Sequence, residues 1–441
     1  MSNDRKLIAM EQGMELCNRY ANSLNVVIVS KLKGVLDEQS LRKSLDLVQE
    51  RHPRLNCHIV GSGNDLFFHS TGTQPIPLTI IFNVQPDLWQ EIVIEEMNTK
   101  IESEKCLVRA ILLTPKDPNN FSYFITTIHH AIIDAACGIN LHSEIFKLCQ
   151  DIGNQQTIDS SKKLEAPPSL EKIISNYSIK DKPLPKPSKY IDKLPCDKYV
   201  PYLERRCKLI QRHLSATVTK NLISQCKEKG ATVHGAISSG MMLGLADHIR
   251  IQEEDFHFSC RSSVNMRKRV VPPVSNEDIC MLVSALTSFH IVDNQTSFWD
   301  LTQQVTAQIK TRLNTTEVYN VIKDYRKGIE STLENTQQTS FSIFVTNIGN
   351  VEISADYGQV QLEEISYVLS TNIMGSVFAV AVSTFQGKIT LNFLYSEPLV
   401  SQQTIEQLVE DTIKHIVESC PITSWCSFYF SKAPKFLSIA F

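Results

Sequence analysis

The sequence predicts a mixed α/β chain built as two halves, and three observations carry that expectation. Residues 1 to 150 alternate strand and helix signals. Residues 151 to 200 then turn polar and rich in Lys, Pro and Ser, as a connector does. Beyond residue 200 a second mixed set of helices and strands begins. A chain of 441 residues, 42% hydrophobic, can fill more than one core. The division expected is residues 1–175, a Pro/Lys-rich linker at 176–200, and residues 201–441.

The elements follow in order. NSLNVVIVSKLKGVL, residues 22 to 36, reads as a strand ending at Gly34. DEQSLRKSLDLVQERHP reads as a helix: Asp37 or Ser40 can cap it, Leu41, Leu45 and Val48 form its apolar stripe, and Pro53 stops it. CHIVGSGNDLFFHS is a hairpin turning at Gly-Ser-Gly-Asn, and with no helix after it the Gly-x-Gly is no phosphate loop. FSYFITTI, residues 121 to 128, is β-branched and aromatic, and a helix should begin near Asp134. In the second half, residues 215 to 249 give two helices split at Gly230. SFSIFVTN and GKITLNFLYSE are strands, and TIEQLVEDTIKHIVES is the closing helix. No repeat of short period is visible.

Bulk properties exclude several functions. A net charge of −3 gives no basic field for nucleic acid. The opening MSNDRKLIAMEQ lacks a signal peptide's apolar core, and no stretch approaches the ~20 apolar residues that span a bilayer. The greasy residues 424 to 441 are broken by Lys432, Pro434 and Lys435 and read as a docked tail. Twelve cysteines contain no C-x-x-C pair, and Cys420 with Cys426 has no second pair at zinc spacing. Thiols among apolar neighbours, such as Cys57 and Cys280, suit a reducing compartment. The expected location is therefore cytoplasmic, and the sequons at Asn176, Asn294 and Asn314 carry no weight. Walker, nucleophile-elbow and zincin patterns are absent.

His129 and His130 close the strand at residues 121 to 128, with Asp134 four residues on. Side chains alternate along a strand, so the two imidazoles should point apart and only one should reach a given cavity. That divergence also argues against a shared metal ion. Asp134 has a plain reading as a helix N-cap. The bare pattern H-H-x-x-x-D should occur by chance in roughly two chains per hundred, so its setting between strand and helix matters more than its letters.

At these residues the chain resembles the CoA-dependent acyltransferases whose active-site pattern is H-H-x-x-x-D-G. They include chloramphenicol acetyltransferase, the alcohol O-acetyltransferases, the phthiocerol dimycocerosyl transferases and the condensation domains of nonribosomal peptide synthetases. LKGVLDEQSLRKSLDLVQERHPRLNCHI is similar to their opening strand–helix unit, and ATVHGAISSGMMLGLA to the helix that opens their second half. SSVNMRKRVVPPV resembles their V-N-L-R segment, FVTNIGNV their S-N-L-G-x-V turn, and residues 387 to 411 their closing strand and helix. The match runs in order along nearly the whole chain and fits the free-standing members best.

The resemblance implies two chloramphenicol-acetyltransferase-like halves in a V-shaped pseudo-dimer, with a central tunnel and the motif histidine at its middle. His130 matches the second motif histidine, the implied general base. His129 matches the first, with a supporting role. Asp134 matches the motif aspartate, which pairs with an arginine; Arg267 is the matching candidate, against its reading as one member of a solvated run with Lys268 and Arg269. Ala135 departs from the motif glycine, and its methyl could narrow the channel or mark weakened catalysis. Asn347 could donate to a developing oxyanion, or simply shape a turn. His234 reads as packing. No tightly bound cofactor and no metal are implied. The expected substrates are acyl-CoA, or a carrier protein's acyl-phosphopantetheine, and a small-molecule alcohol; the chain is expected to act as a monomer. An amine acceptor would make it an amide-forming condensation enzyme. A non-catalytic lipid- or carrier-binding protein is the remaining alternative.

Overall fold

A computed structural model describes residues 4–117, 119–158, 163–166, 168–174, 194, 196–249, 255–336 and 341–421. Most of the expected linker, Asn176, the tail at 424 to 441 and Cys426 lie outside the described residues. The first half runs β1 (Arg5–Lys6), α1 (Ala9–Ala21), β2 (Val26–Gly34), α2 (Glu38–Arg51), β3 (His58–Ser62), β4 (Asp65–His69), β5 (Leu78–Val84), α3 (Leu88–Asn98), β6 (Val108–Pro115), β7 (Phe121–Ile128), α4 (Ala135–Gly153) and α5 (Leu170–Ile174). The second runs β8 (Arg206–Leu214), α6 (Ala216–Glu228), α7 (Val233–Ile249), β9 (Phe256–Asn265), β10 (Val283–Val292), α8 (Phe298–Arg312), α9 (Glu317–Glu334), β11 (Ile343–Asn350), β12 (Val360–Leu369), β13 (Phe378–Phe385), β14 (Lys388–Glu397) and α10 (Gln402–Glu418).

The local rules hold at the expected helices and turns. Asp37 caps α2 by accepting from the Ser40 amide at 2.7 Å, and Leu41, Leu45 and Val48 are all buried. Ser215 caps α6, which ends before Gly230 at φ +64°. The hairpin forms as β3 and β4, with Ser62 opposite Asp65.

Three sheets result. The first half's main sheet has the order β12-β2-β7-β6-β5, and β5 with β6 is its parallel pair. The second half's sheet has the order β10-β9-β11-β13-β14-β8, with β11 parallel to both neighbours. A small sheet, β1-β4-β3, closes the N-terminal end. Successive threonines on β7 show helices on both faces of the first sheet. Thr126 meets His142 of α4 at 2.8 Å, while Thr127 donates to Glu96 of α3. His142 also takes Ser30 at 2.8 Å, and burial pulls its pKa down to about 3.

The expected boundary at residues 176 to 200 does not separate the sheets. β12, well inside the second half, pairs antiparallel with β2 from Gly34–Val360 to Val26–Leu369. Without it the apolar edge of β2 would stand open, which proteins avoid. A second tie runs the other way: α1 packs on α9, where Gly13 lets Tyr325 approach so closely that a Cβ there would sit 2.6 Å from its ring. Among the described residues no helix is long and apolar enough to cross a membrane.

The second core is built around α7, whose residues Gly235 to Ala246 are all buried. It crosses α10 at Gly240 and Gly244. A Cβ at Gly244 would lie 3.0 Å from the Thr412 amide nitrogen, and one at Gly240 2.8 Å from Ile416. Gly244→Val should therefore force the helices apart and cost about 1–3 kcal/mol, read as a lower urea midpoint at unchanged slope.

Candidate active site

β7 stops at Ile128, and residues 129 to 134 form a tight turn before α4. The two histidines leave it in different directions. His129 is fully buried, and its Nε2 lies 2.7 Å from Glu15 Oε2 on α1. Because a carboxylate only accepts, Nε2 carries the proton. Nδ1 then accepts from the Ala131 amide at 3.1 Å, so both ring nitrogens are occupied. Burial by itself would raise the Glu15 carboxyl. Bonds from His129 and from Ser103 at 2.6 Å, with Arg19 at 2.5 Å, outweigh it and hold the carboxyl below its usual range.

His130 is only partly buried and stands in the wall of a cavity of about 170 Å³. Its Nδ1 lies 2.6 Å from the Ile133 carbonyl oxygen, which cannot donate. Nδ1 therefore holds the ring proton, and Nε2 keeps its lone pair. Burial lowers the His130 pKa below the ordinary histidine value, despite opposition from the Ile133 bond and the nearby Asp134 charge. The ring is thus neutral near pH 7, with a basic nitrogen available. The cavity is shared: Met10, Met14 and Ala135 line it from the first half, and Asn265, Leu282 and Phe344 from the second. Tyr367 and Leu369 of the exchanged strand β12 complete the wall.

Asp134 does both things its sequence position allowed. Oδ1 accepts from the Cys137 amide at 3.3 Å, capping α4. Oδ2 takes the Arg267 guanidinium and the Leu282 amide, the latter at 3.0 Å. Arg267 is 1% exposed, whereas Lys268 and Arg269 are exposed, so the basic run splits at its first member. The guanidinium also donates to the Ser275 carbonyl at 3.2 Å and the Cys280 carbonyl at 3.0 Å. Burial would raise the Asp134 carboxyl; Arg267 overcomes this and holds it below the usual carboxylate range. The pair joins the histidine turn of one half to the segment after β9 of the other.

Ala135 is the first residue of α4, and its φ is not among the chain's positive values, so the methyl strains no backbone there. It does line the cavity. Asn347 also lines it, and its Oδ1 accepts from the Gly349 amide at 2.8 Å, the bond of a turn asparagine. His234 meets Ser262 Oγ at 2.8 Å, and burial lowers its pKa to about 4, as packing requires. Sequence reasoning missed Glu15, Tyr325 and Arg261. The available signal for Glu15 was one acid between Met14 and the apolar Leu16–Cys17 pair.

Removing one partner of the buried ion pair strands the other. Arg267→Ala should cost about 3–5 kcal/mol in denaturant unfolding, and Arg267→Lys less. Because the folded Asp134 pKa is depressed, the wild-type advantage over Arg267→Ala should be full above the unfolded carboxylate pKa of about 3.9 and fade as pH falls through the folded value.

Two family profiles match the sequence. Residues 12–165 match the condensation domain, and residues 204–394 match the phthiocerol/phthiodiolone dimycocerosyl transferase C-terminus. No curated protein matches the chain by sequence. Among solved structures, polyketide synthase associated protein 5 from Mycobacterium tuberculosis is similar at TM-score 0.68 and 15% identity, over 93% of this chain and 97% of that one. Trichothecene 15-O-acetyltransferase from Fusarium sporotrichioides is similar at TM-score 0.69 and 13% identity, over 94% of each chain. The first condensation domain of the CDA synthetase is similar at TM-score 0.68 and 11% identity, over 94% of this chain and 96% of that domain. With both halves matched in order and the mixed α/β fold shared, the chain belongs to the superfamily of condensation domains and CoA-dependent acyltransferases.

Proposed function

We propose that this protein is an acyltransferase that moves an acyl group from a thioester, of CoA or of a carrier protein's phosphopantetheine, to an acceptor hydroxyl. The observation that carries the reading is the state of His130. Its Nδ1 proton is committed to the Ile133 carbonyl, and its Nε2 is left basic in a cavity formed by both halves. Supporting it are the two matched families and the acetyltransferase among the structural neighbours.

In the proposed reaction the acceptor oxygen attacks the thioester carbonyl carbon while His130 Nε2 takes its proton. The tetrahedral oxyanion then collapses, the C–S bond breaks, and the leaving thiolate recovers the proton from the imidazolium. The product is an ester and a free thiol, and no covalent acyl-enzyme is needed. Asp134 and Arg267 position the turn that holds His130. His129, bonded at both nitrogens, supports that turn from the opposite side. Asn347, in the cavity wall, is the candidate donor to the oxyanion. Ala135 sits in relaxed helix, which leaves the turn able to present the base.

His130→Ala should lower acyl transfer about 10²–10⁴-fold in an assay of thiol release with a panel of acyl-CoA thioesters, while circular dichroism stays native. Equal rates in variant and wild type would remove the base assignment, and the mass of the product separates ester from amide. The rate should also carry an acid limb. Because burial lowers the His130 pKa, kcat/KM should hold down to pH values below the usual histidine midpoint of about 6.5 and then fall as Nε2 is protonated. A limb centred at or above that value would contradict the assignment.

A further inference from the structure

The same cavity contains a cation that acyl transfer does not use. Arg261 lies on β9, where Arg261, Ser263 and Asn265 share the face that lines the cavity. The alternate residues Cys260, Ser262 and Val264 are buried on the other face. In register, Arg261 stands opposite Thr287 on β10 and beside Phe344 on β11.

Its contacts do not balance its charge. One guanidinium nitrogen reaches Thr287 Oγ1 at 3.4 Å, and the group lies 5.6 Å from the centre of the Phe341 ring. Among the described residues no carboxylate forms an ion pair with it. Glu317, an acid that acts on it from a distance, is already engaged: Oε2 takes Arg312 at 2.8 Å and Oε1 takes the Thr287 amide at 2.8 Å. Asp134 also lines the cavity, but Arg267 neutralises it. Tyr325 contributes a hydroxyl that faces Met14 Sδ at 3.6 Å. Other interior arginines are matched: Arg109 meets Glu96, Arg312 meets Glu317, and Arg205 donates to the carbonyls of Val200, Asn372 and Thr336. A guanidinium keeps its charge at every working pH, and its planar fork matches a carboxylate. In a pocket whose wall includes the apolar Met10, Met14 and Phe344, and whose one carboxylate among the described residues, Asp134, is already paired, that charge is weakly screened and attracts an anion.

We propose that Arg261 selects substrates that bring a carboxylate into this cavity, held by charge-assisted hydrogen bonds from its guanidinium while the reacting centre lies at His130. The carboxylate belongs either to the acyl group, as in a dicarboxylic monothioester, or to the acceptor, as in a hydroxy acid. The reaction this substrate undergoes rests on the acyl-transfer reading; the binding preference does not.

Isothermal titration of the full-length chain tests it in two arms. The donor arm compares succinyl-CoA with butyryl-CoA, and the acceptor arm compares 3-hydroxybutyrate with its methyl ester. Wild type should prefer the carboxylate member about tenfold to hundredfold in one arm, and that arm names the source. Arg261→Met should bring the ratio to about one, and Arg261→Lys should keep part of it. No preference in either wild-type arm overturns the proposal, as does a preference that survives in Arg261→Met. Should Arg261→Met not fold, an Arg261→Lys ratio equal to wild type overturns it. Turnover measured separately keeps the two readings apart. A carboxylate preference without thiol release refutes acyl transfer alone, whereas thiol release without the preference refutes the role of Arg261 alone.

Discussion

The contact between Asp134 and Arg267 determines where everything else in the cavity stands. Each group is expensive to bury alone, and each is placed by a different half of the chain. Asp134 cannot leave Arg267 without exposing an uncompensated charge, nor leave the Cys137 amide without uncapping α4. The turn between β7 and α4 is therefore held at both ends, by a strand on one side and by a two-sided carboxylate on the other. His130 sits inside that turn, and its ring angle is set by a carbonyl only three residues away. Precision at the imidazole follows from the ion pair and does not need a large surrounding network.

The two adjacent histidines show how position separates chemically identical groups. His129 has a buried acid at one nitrogen and a backbone amide at the other, so it has no lone pair or proton left to offer. His130 has one nitrogen satisfied and one unsatisfied. Ala135 bears on the same point. As an ordinary first helical residue it changes the space near His130 without changing the backbone that carries it. It lines the same cavity that Arg261 lines from β9.

Much of this was legible in the sequence, for identifiable reasons. The strand to Gly34, the Leu41–Leu45–Val48 stripe and the split at Gly230 are local patterns, and local patterns survive folding. The divergence of His129 and His130 follows from alternation even though β7 ends just before them. Arg267 was readable through its resemblance to a known segment; its separation from Lys268 and Arg269 shows only in the burial. Helix α1 was not legible. It buries Glu11, Gln12, Glu15 and Asn18, whose partners Arg5, Leu7, His129 and Ile101 lie elsewhere, so its polar residues disguise an interior element. The placement of β12 was equally hidden, because a strand's own residues say little about which distant edge it will complete. Arg261 lacked any cue, since an arginine earns notice only when its missing partner can be seen.

The exchanged strand has a consequence for how the molecule is made. A ribosome delivers β2 more than 300 residues before β12, so the first sheet waits, one edge bare, while all of that chain is made. During that interval the edge of β2 that β12 will cover offers backbone groups to any passing strand. Nascent chains should therefore depend on chaperone shielding, and prematurely terminated products should be removed or clump. The join that unites the finished enzyme is also the step at which its biogenesis is most exposed.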